Sequence, residues 1–479
     1  MRALCAIVVV LAAATFACRP SDVLSVPPPA NVVGSGAVKN AAGVESEFIG
    51  ARGQMFAALA GANNLMQWSG VLSDEFSWGA VFAPGANVDA RMTTAQGGFS
   101  EVGDAALASI LQTRSTLLQV VGGLRQYDPS AGAARIGEAY ALIAYGELFM
   151  AEDYCAGVPL SYIIADGGIV YGMPLTTDSL LAVAEAHFDS AITHASGSDT
   201  VLSLAGIGLG RARLDRNEYA IAASAVSGVA TGFVYNTELE ATTDQGAPYV
   251  VNLYANNYLY YGPSQPCGLT NVADHEGGNG LGFVSAHDPR VVVDSTIALT
   301  CGATYTGVTP GTWYYPMKFG AFPSTLVPLA TGVEARLIEA EVALHTNDVG
   351  GWAADLSALR ADSASTHVAF DTSQSPIHAD STIGLSADGQ VDMMFRERAF
   401  WLFGTGTRLG DLRRLIRQYG RDQATLFPVG PFPDGHDSNL PTPILNYGND
   451  VSLTLPTRAS GTPITNPNYK GCTTPTTTA

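Results

Sequence analysis

The sequence predicts a mostly α-helical protein built on tetratricopeptide-like helical hairpins, with loop-rich segments and few short strands. Apolar residues recur at helical spacing over much of the first 230 residues. Two segments match a helix-turn-helix repeat of about 34 residues. Residues 232–330 and the chain after Gly420 are rich in Gly, Pro and Asn, which interrupt regular structure.

Residues 1–17 predict a signal peptide. Arg2 gives a positive start, residues 6–15 are almost wholly apolar, and Ala17 precedes Cys18, which is the arrangement of a secretory signal that ends at a lipidated cysteine. The apolar run is too short to span a bilayer, which takes about 20 residues of helix. We therefore expect residues 18–43 to form an extended tether lipidated at Cys18. The alternative is an ordinary cleaved signal in which Cys18 is incidental.

The helical elements follow in order. Helical periodicity covers residues 44–66 and 103–124, and residues 137–155 favour helix throughout. Thr177 and Asp178 are suited to begin a further helix that runs to Ala195. Glycines and prolines between these last two helices predict a loop.

Repeats are expected over about 130–231 and 331–419. Residues 204–231 place Leu209 and Gly210 in one helix and Tyr219 and Ala222 in the next. Small residues at such positions let two helices approach closely. Residues 334–360 are a further candidate. Plain helical hairpins are the alternative, because this spacing of Gly, Ala and aromatic residues also arises by chance.

Two other regions differ in kind. Residues 232–330 lack a sustained helical period and concentrate tyrosines, which favours short strands and long ordered loops. The tail, 420–479, is also predicted to be loop, and a stretch of this length forms a functional surface or wraps the core.

Charge and cysteine content limit the partners. The formal net charge of −19 excludes nucleic acid, whose phosphates would be repelled, and leaves an acyl chain as the only membrane attachment. Apart from Cys5 and Cys18, four cysteines remain and allow three pairings. We expect a disulfide between Cys267 and Cys301, which both lie in the loop-rich middle region. The spacings contain no CxxC pair, so a zinc knuckle is not expected.

Flat aromatic faces next to a few planar polar groups are typical of sites that bind small molecules. Two loop regions supply both, and their candidate ligand-binding residues are Trp78, Asp89, Arg91, Asn257, Tyr258, Tyr260 and Trp313. The alternative for any one of these aromatic residues is packing within its own loop.

Catalytic, metal and cofactor sites are not predicted. Adjacent carboxylates such as Asp74 and Glu75 point about 100° apart on a helix and do not easily flank one bond, and GxSxG is absent. Asp274, His275 and Glu276 form a dense trio without metalloenzyme spacing. The charges between Arg396 and Arg414 lie in an apolar helical context, which predicts ion pairs that hold helices together.

Several segments occur in a recognisable order: GVLSDEF (70–76), PLTTDSLLAVAEAHFDSAI (174–192), LGRARLD (209–215), GLGFVSAHDPRVV (280–292), EARLIEAEVAL (334–344), RERAFWLFGTGTRLGDLRRL (396–415) and NPNYKGC (466–472). Together with the lipoprotein signal, this series resembles the SusD/RagB family of nutrient-binding outer-membrane lipoproteins along the whole mature chain.

The resemblance implies a single domain over 44–479 with a loop-rich, ligand-facing side and no catalysis or cofactor. It implies a lipid-anchored protein on the outer membrane, facing outward, that binds a glycan or another small nutrient. The implied partner is a SusC-like TonB-dependent transporter, which receives the nutrient. Two alternatives remain: a secreted glycan-cleaving hydrolase, and a helical-repeat scaffold that binds only protein.

Overall fold

The computed structural model describes residues 39–61, 65–78, 83–94, 103–129, 132–164, 168–238, 270–298, 311–318, 326–370, 384–432, 444–456 and 466–479. The predicted lipid-attachment residue Cys18, the residues Asn257, Tyr258 and Tyr260, and the predicted pair Cys267–Cys301 lie outside them. No helix within these ranges is long and apolar enough to cross a membrane.

Helices dominate the first half, as predicted. They are α1 (Ala41–Ala60), α2 (Leu65–Leu72), α3 (Ala83–Asp89), α4 (Gly103–Tyr127), α5 (Ala133–Asp153), α6 (Thr177–His194), α7 (Asp199–Asp215) and α8 (Tyr219–Val226). The single helix expected over 44–66 is two, since α1 ends at Ala60. Thr176, one residue earlier than expected, caps α6 by accepting a hydrogen bond from the Ser179 amide at 3.1 Å.

The second half carries α9 (Gly332–His345), α10 (Val349–Ala361), the short α11 (Ser363–Thr366), α12 (Ala387–Trp401) and α13 (Arg408–Tyr419). The predicted repeats are helical hairpins, α7–α8 and α9–α10. Small residues at their contacts are required: a Cβ at Gly210 would lie 2.8 Å from the Val226 side chain, and one at Gly208 would lie 2.2 Å from the Phe188 ring. Tyr219 stacks on His345 with ring centroids 3.5 Å apart, which joins the two hairpins.

Short strands pair in four antiparallel, two-stranded units. β1 (Phe76–Trp78) pairs with β5 (Thr270–Val272), and β2 (Tyr162–Ile163) pairs with β3 (Ile169–Val170). β4 (Val234–Thr237) pairs with β8 (Val327–Thr331), and β6 (Val293–Ala298) pairs with β7 (Gly311–Pro316). Most of these strands fall in the region where the sequence predicted short strands between loops.

The C-terminal tail wraps the helices. The Leu453 amide donates to the Asp153 carbonyl at 2.7 Å, and the Cys155 amide donates to the Leu453 carbonyl at 2.9 Å. A disulfide joins Cys155 to Cys472, 317 positions apart. The tail therefore closes over the end of α5, the helix at the centre of the core.

Candidate ligand-binding site

Trp78 is a core residue, which corrects its assignment as a ligand platform. Its side chain is 1% exposed and packs against Trp68 with ring centroids 5.2 Å apart. Gly85 of α3 lies so close that a Cβ there would come within 2.0 Å of the Trp78 indole. Strand β1 brings this segment against β5, so the tryptophan faces inward.

Asp89 and Arg91 are also buried, and they serve the scaffold. Asp89 Oδ2 accepts a hydrogen bond from the Trp78 amide at 2.6 Å. Arg91 donates to the backbone carbonyls of Asp450 at 3.0 Å and Pro428 at 2.8 Å. The guanidinium thus ties the glycine-rich loop to the tail instead of facing a ligand.

Trp313 belongs to β7, where its backbone pairs in register with Thr296 of β6. The neighbouring Tyr314 amide donates to Asn271 Oδ1 of β5 at 2.6 Å. The strands β1, β5, β7 and β6 therefore follow one another across this loop-rich part of the molecule. Trp313 remains a candidate, together with Asn257, Tyr258 and Tyr260.

Most of the charged residues between 396 and 414 form buried ion pairs, as the sequence predicted, whereas Arg396 is exposed and Arg413 donates to backbone carbonyls. Arg408 makes a bidentate pair with Asp74, at 2.6 and 2.8 Å. Asp411 accepts from Arg398 and from Arg414, each at 2.8 Å. The two arginines keep the Asp411 pKa low, at about 2, despite the opposing effect of its burial. These contacts join α12 and α13 to each other and to the turn after α2.

Two titratable groups beside this network have altered pKa values. Burial raises the pKa of Glu75 to about 8, although its Oε1 accepts a hydrogen bond from the Gly404 amide at 2.9 Å. Burial lowers the pKa of Lys318 to about 7. Lys318 Nζ donates to the Trp401 carbonyl at 2.7 Å. Both groups hold backbone in place through these hydrogen bonds.

The loop with Asp274, His275 and Glu276 is held by local contacts. Asp274 Oδ1 accepts from the Val284 and Ser285 amides at 3.0 and 2.9 Å, and His275 Nε2 lies 3.1 Å from Ser285 Oγ. Glu276 is buried and accepts from the Tyr447 hydroxyl at 3.0 Å. Burial raises its pKa well above the usual range, and the nearby Asp89 raises it further. No trio of His, Cys, Asp or Glu in the described ranges is placed to hold a metal ion.

Sequence reasoning missed an apolar hairpin, which we call the β2–β3 hairpin (residues 162–173). It exposes large side chains, including Tyr162 at 40% and Met173 at 61%. A cavity of about 300 Å³ lies between it, α4 and the tail. Its lining combines aromatic and aliphatic faces with amide and hydroxyl groups: Leu107, Leu111, Gln112, Ser115, Tyr162, Ile163, Ile169, Asn466 and Tyr469. In the sequence, neighbouring apolar residues stand on both sides of Asp-Gly-Gly (166–168), a pattern that indicates such a hairpin.

Comparisons with known proteins identify the architecture. No protein-family model matches the sequence, and no curated protein matches it. Surface glycan-binding protein A from Bacteroides thetaiotaomicron matches with a TM-score of 0.61 and 13% identity, over 90% of this chain and 100% of its own. A SusD superfamily protein from Bacteroides vulgatus matches with a TM-score of 0.59 and 11% identity, over 91% and 99%.

A SusD-like carbohydrate-binding protein from Bacteroides vulgatus also matches, with a TM-score of 0.55 and 14% identity over 78% of this chain and 83% of its own. The matches extend over helices and loop-rich parts alike. At sequence identities this low, the matches show the fold alone. The chain has the SusD-like fold.

Proposed function

We propose that this protein belongs to the SusD/RagB family and binds a glycan or oligosaccharide outside the cell without cleaving it. The observation that carries the proposal is the SusD-like fold, shared over 90% of the chain with a surface glycan-binding protein. The same fold supports a binding protein over the alternative of a hydrolase. In this proposal, the signal is residues 1–17, the tether is 18–43 and a single domain spans 44–479.

Two surfaces are candidates for the sugar. The first is a prediction from the sequence alone and comprises Trp313, Asn257, Tyr258 and Tyr260. The second is the cavity beside the β2–β3 hairpin, where the exposed Tyr162 ring offers a flat face near the Gln112 amide. Both combine aromatic faces with amide groups, which is the chemistry that a pyranose ring requires.

A glycan array, followed by calorimetry on the full chain carrying Cys18→Ala, tests the proposal. We expect binding of at least one glycan and no shortened products after prolonged incubation. Trp313→Ala or Tyr162→Ala should weaken binding by about 1–3 kcal/mol, according to which surface is used. Absence of binding across the array would refute the function, whereas shortened products would favour the hydrolase.

We propose further that Cys18 carries the lipid anchor, that the protein faces outward from the outer membrane, and that it passes its ligand to a SusC-like TonB-dependent transporter. Cys18→Ala should release the protein from carbonate-washed membranes. The native lipidated protein should copurify with a transporter barrel, and a barrel encoded beside this gene would support that pairing. Recovery of a different class of protein alone would favour the scaffold alternative.

A further inference from the structure

A second, larger cavity lies on the helical part of the molecule and shares no lining residue with the β2–β3 cavity. Its volume is about 510 Å³, and it is bounded by the start of α6, the turn after α7, the last turn of α13 and the tail. Uncharged polar side chains supply much of its wall: Thr176, Thr177, Asn217, Gln418, Thr473 and Thr474. A cavity of this size accommodates a small organic molecule.

Arg417 is the unusual group in this wall. Its side chain is partly buried and lines the cavity, and its Nη1, which is closed off from water, makes no hydrogen bond to any residue that the structure describes. Burial lowers the pKa of this guanidinium, because a charge removed from water is destabilised unless a counter-charge accompanies it. A partly buried guanidinium in the wall of a polar cavity, with no ion pair to a described residue, is therefore a position where an anion would be favourable.

The acidic residues of the wall already have partners. Asp178 lies 3.0 Å from Arg216 Nε, and Asp215 lies 3.1 Å from Arg414 Nε. Within the described ranges, no carboxylate lies within 4 Å of Arg417, although Asp215 contributes a favourable longer-range charge. The positive charge of Arg417 thus lacks a direct counter-ion, whereas these neighbouring arginines have theirs.

Arg413, one turn before Arg417 on α13, adds positive charge. It donates to the carbonyls of Ala151 and Tyr154, each at 3.2 Å, and makes no ion pair among the described residues. Burial lowers its pKa to about 9, and repulsion from Arg417 contributes to the shift. The start of α6 also lies at the cavity, and the positive end of a helix dipole favours an anion.

We propose that this cavity is a binding site for a small organic carboxylate, with Arg417 as its anchoring cation. The planar guanidinium matches the two oxygens of a carboxylate, and the surrounding hydroxyl and amide groups suit a hydroxylated molecule such as a sugar acid. The site shares no lining residue with the β2–β3 cavity, and the inference does not rest on the proposed transporter.

Calorimetry on the full chain carrying Cys18→Ala, at low ionic strength, tests the site with matched probes. D-glucuronate and D-glucose differ at the carboxylate, while acetate and inorganic phosphate separate carboxylates from other oxyanions. We expect glucuronate and acetate to bind, glucose to bind far more weakly, and Arg417→Gln to weaken glucuronate about tenfold or more. Arg417→Lys should retain part of the affinity, because it keeps the charge and loses the fork.

Arg396→Gln is the control, since Arg396 is exposed, lies on α12 and does not line the cavity. It should bind glucuronate as the parent chain does, and melting curves confirm that each variant folds. Three outcomes overturn the site: unchanged glucuronate affinity in Arg417→Gln, binding of phosphate alone, or no carboxylate binding up to about 20 mM. None of them bears on the glycan array, so the two proposals fail separately.

Discussion

Breaking the disulfide between Cys155 and Cys472 should be among the most destabilising changes available to this chain. The bond closes a loop of 317 positions. In the chain-entropy picture, such a loop removes about 19 cal/mol/K from the unfolded ensemble, or about 5–6 kcal/mol at 25 °C. That figure is an upper limit, and natural disulfides contribute about 2–5 kcal/mol. We expect a loss in this range, because the same bond holds the tail against the end of α5.

Urea unfolding of Cys155→Ala, Cys472→Ala and the double variant measures this contribution. Alanine suits the Cys155 site, which is apolar and 1% exposed. Each single variant should lose nearly as much free energy of unfolding as the double variant, because either change breaks the same bond. The denaturant slope m should rise, since the unfolded chain expands without its cross-link.

Additive losses in the two single variants would refute the reasoning, as would a peptide map that joins Cys155 to Cys267 or Cys301. The same non-reducing map tests the predicted Cys267–Cys301 pair. We expect one fragment joining those two cysteines and another joining Cys155 to Cys472.

Three further predictions concern the core. Trp78→Ala should lower the free energy of unfolding by about 3–5 kcal/mol and leave the glycan affinity of the folded protein unchanged. Tyr162→Ala, at an exposed site, should cost little stability, and thermal melts together with calorimetry distinguish the two variants. Arg408→Met should destabilise the protein by about 3–5 kcal/mol because it leaves the buried Asp74 carboxylate without a counter-charge, and adding Asp74→Leu should restore part of the loss. Urea unfolding of the two single variants and the double variant measures this. Because the pKa of Glu75 is raised in the folded state, the unfolded state loses this proton at lower pH, and the free energy of unfolding falls as pH rises from about 4.5 to about 8. Glu75→Gln should stabilise the protein at pH 8 and flatten this part of the plot of stability against pH. An unchanged plot would contradict the assignment.

The helical elements could be predicted from sequence because their signals are local. The 3.6-residue period places α4 and α5, and the Thr176 region marks the start of α6. Small residues such as Gly210 indicated a close helix contact, which the structure confirms. The charges near Arg414 were predicted to hold helices together for a similar reason, since buried charges in an apolar segment need partners.

The candidate site was harder to predict because burial is not local. Trp78 and Arg91 lie in a glycine-rich segment that indicates a loop, but Trp68 and residues from the distant tail cover them. The β2–β3 hairpin was interpreted only as a loop, since its glycines and prolines obscured two short strands. Nothing in the sequence pointed to Arg417, because whether a charged side chain has an ion-pair partner depends on the folded structure.

The distant contacts described above determine when this chain can fold. Arg408 pairs with a carboxylate 334 positions earlier, and the tail supplies backbone partners for the end of α5. Because contacts so far apart in sequence form slowly, the turn after α2 and the end of α5 lack these particular partners until nearly the whole polypeptide has been synthesised. The cross-link between Cys155 and Cys472 needs an oxidising environment to form and persist, so the closure of the tail over α5 depends on the redox conditions that the chain meets.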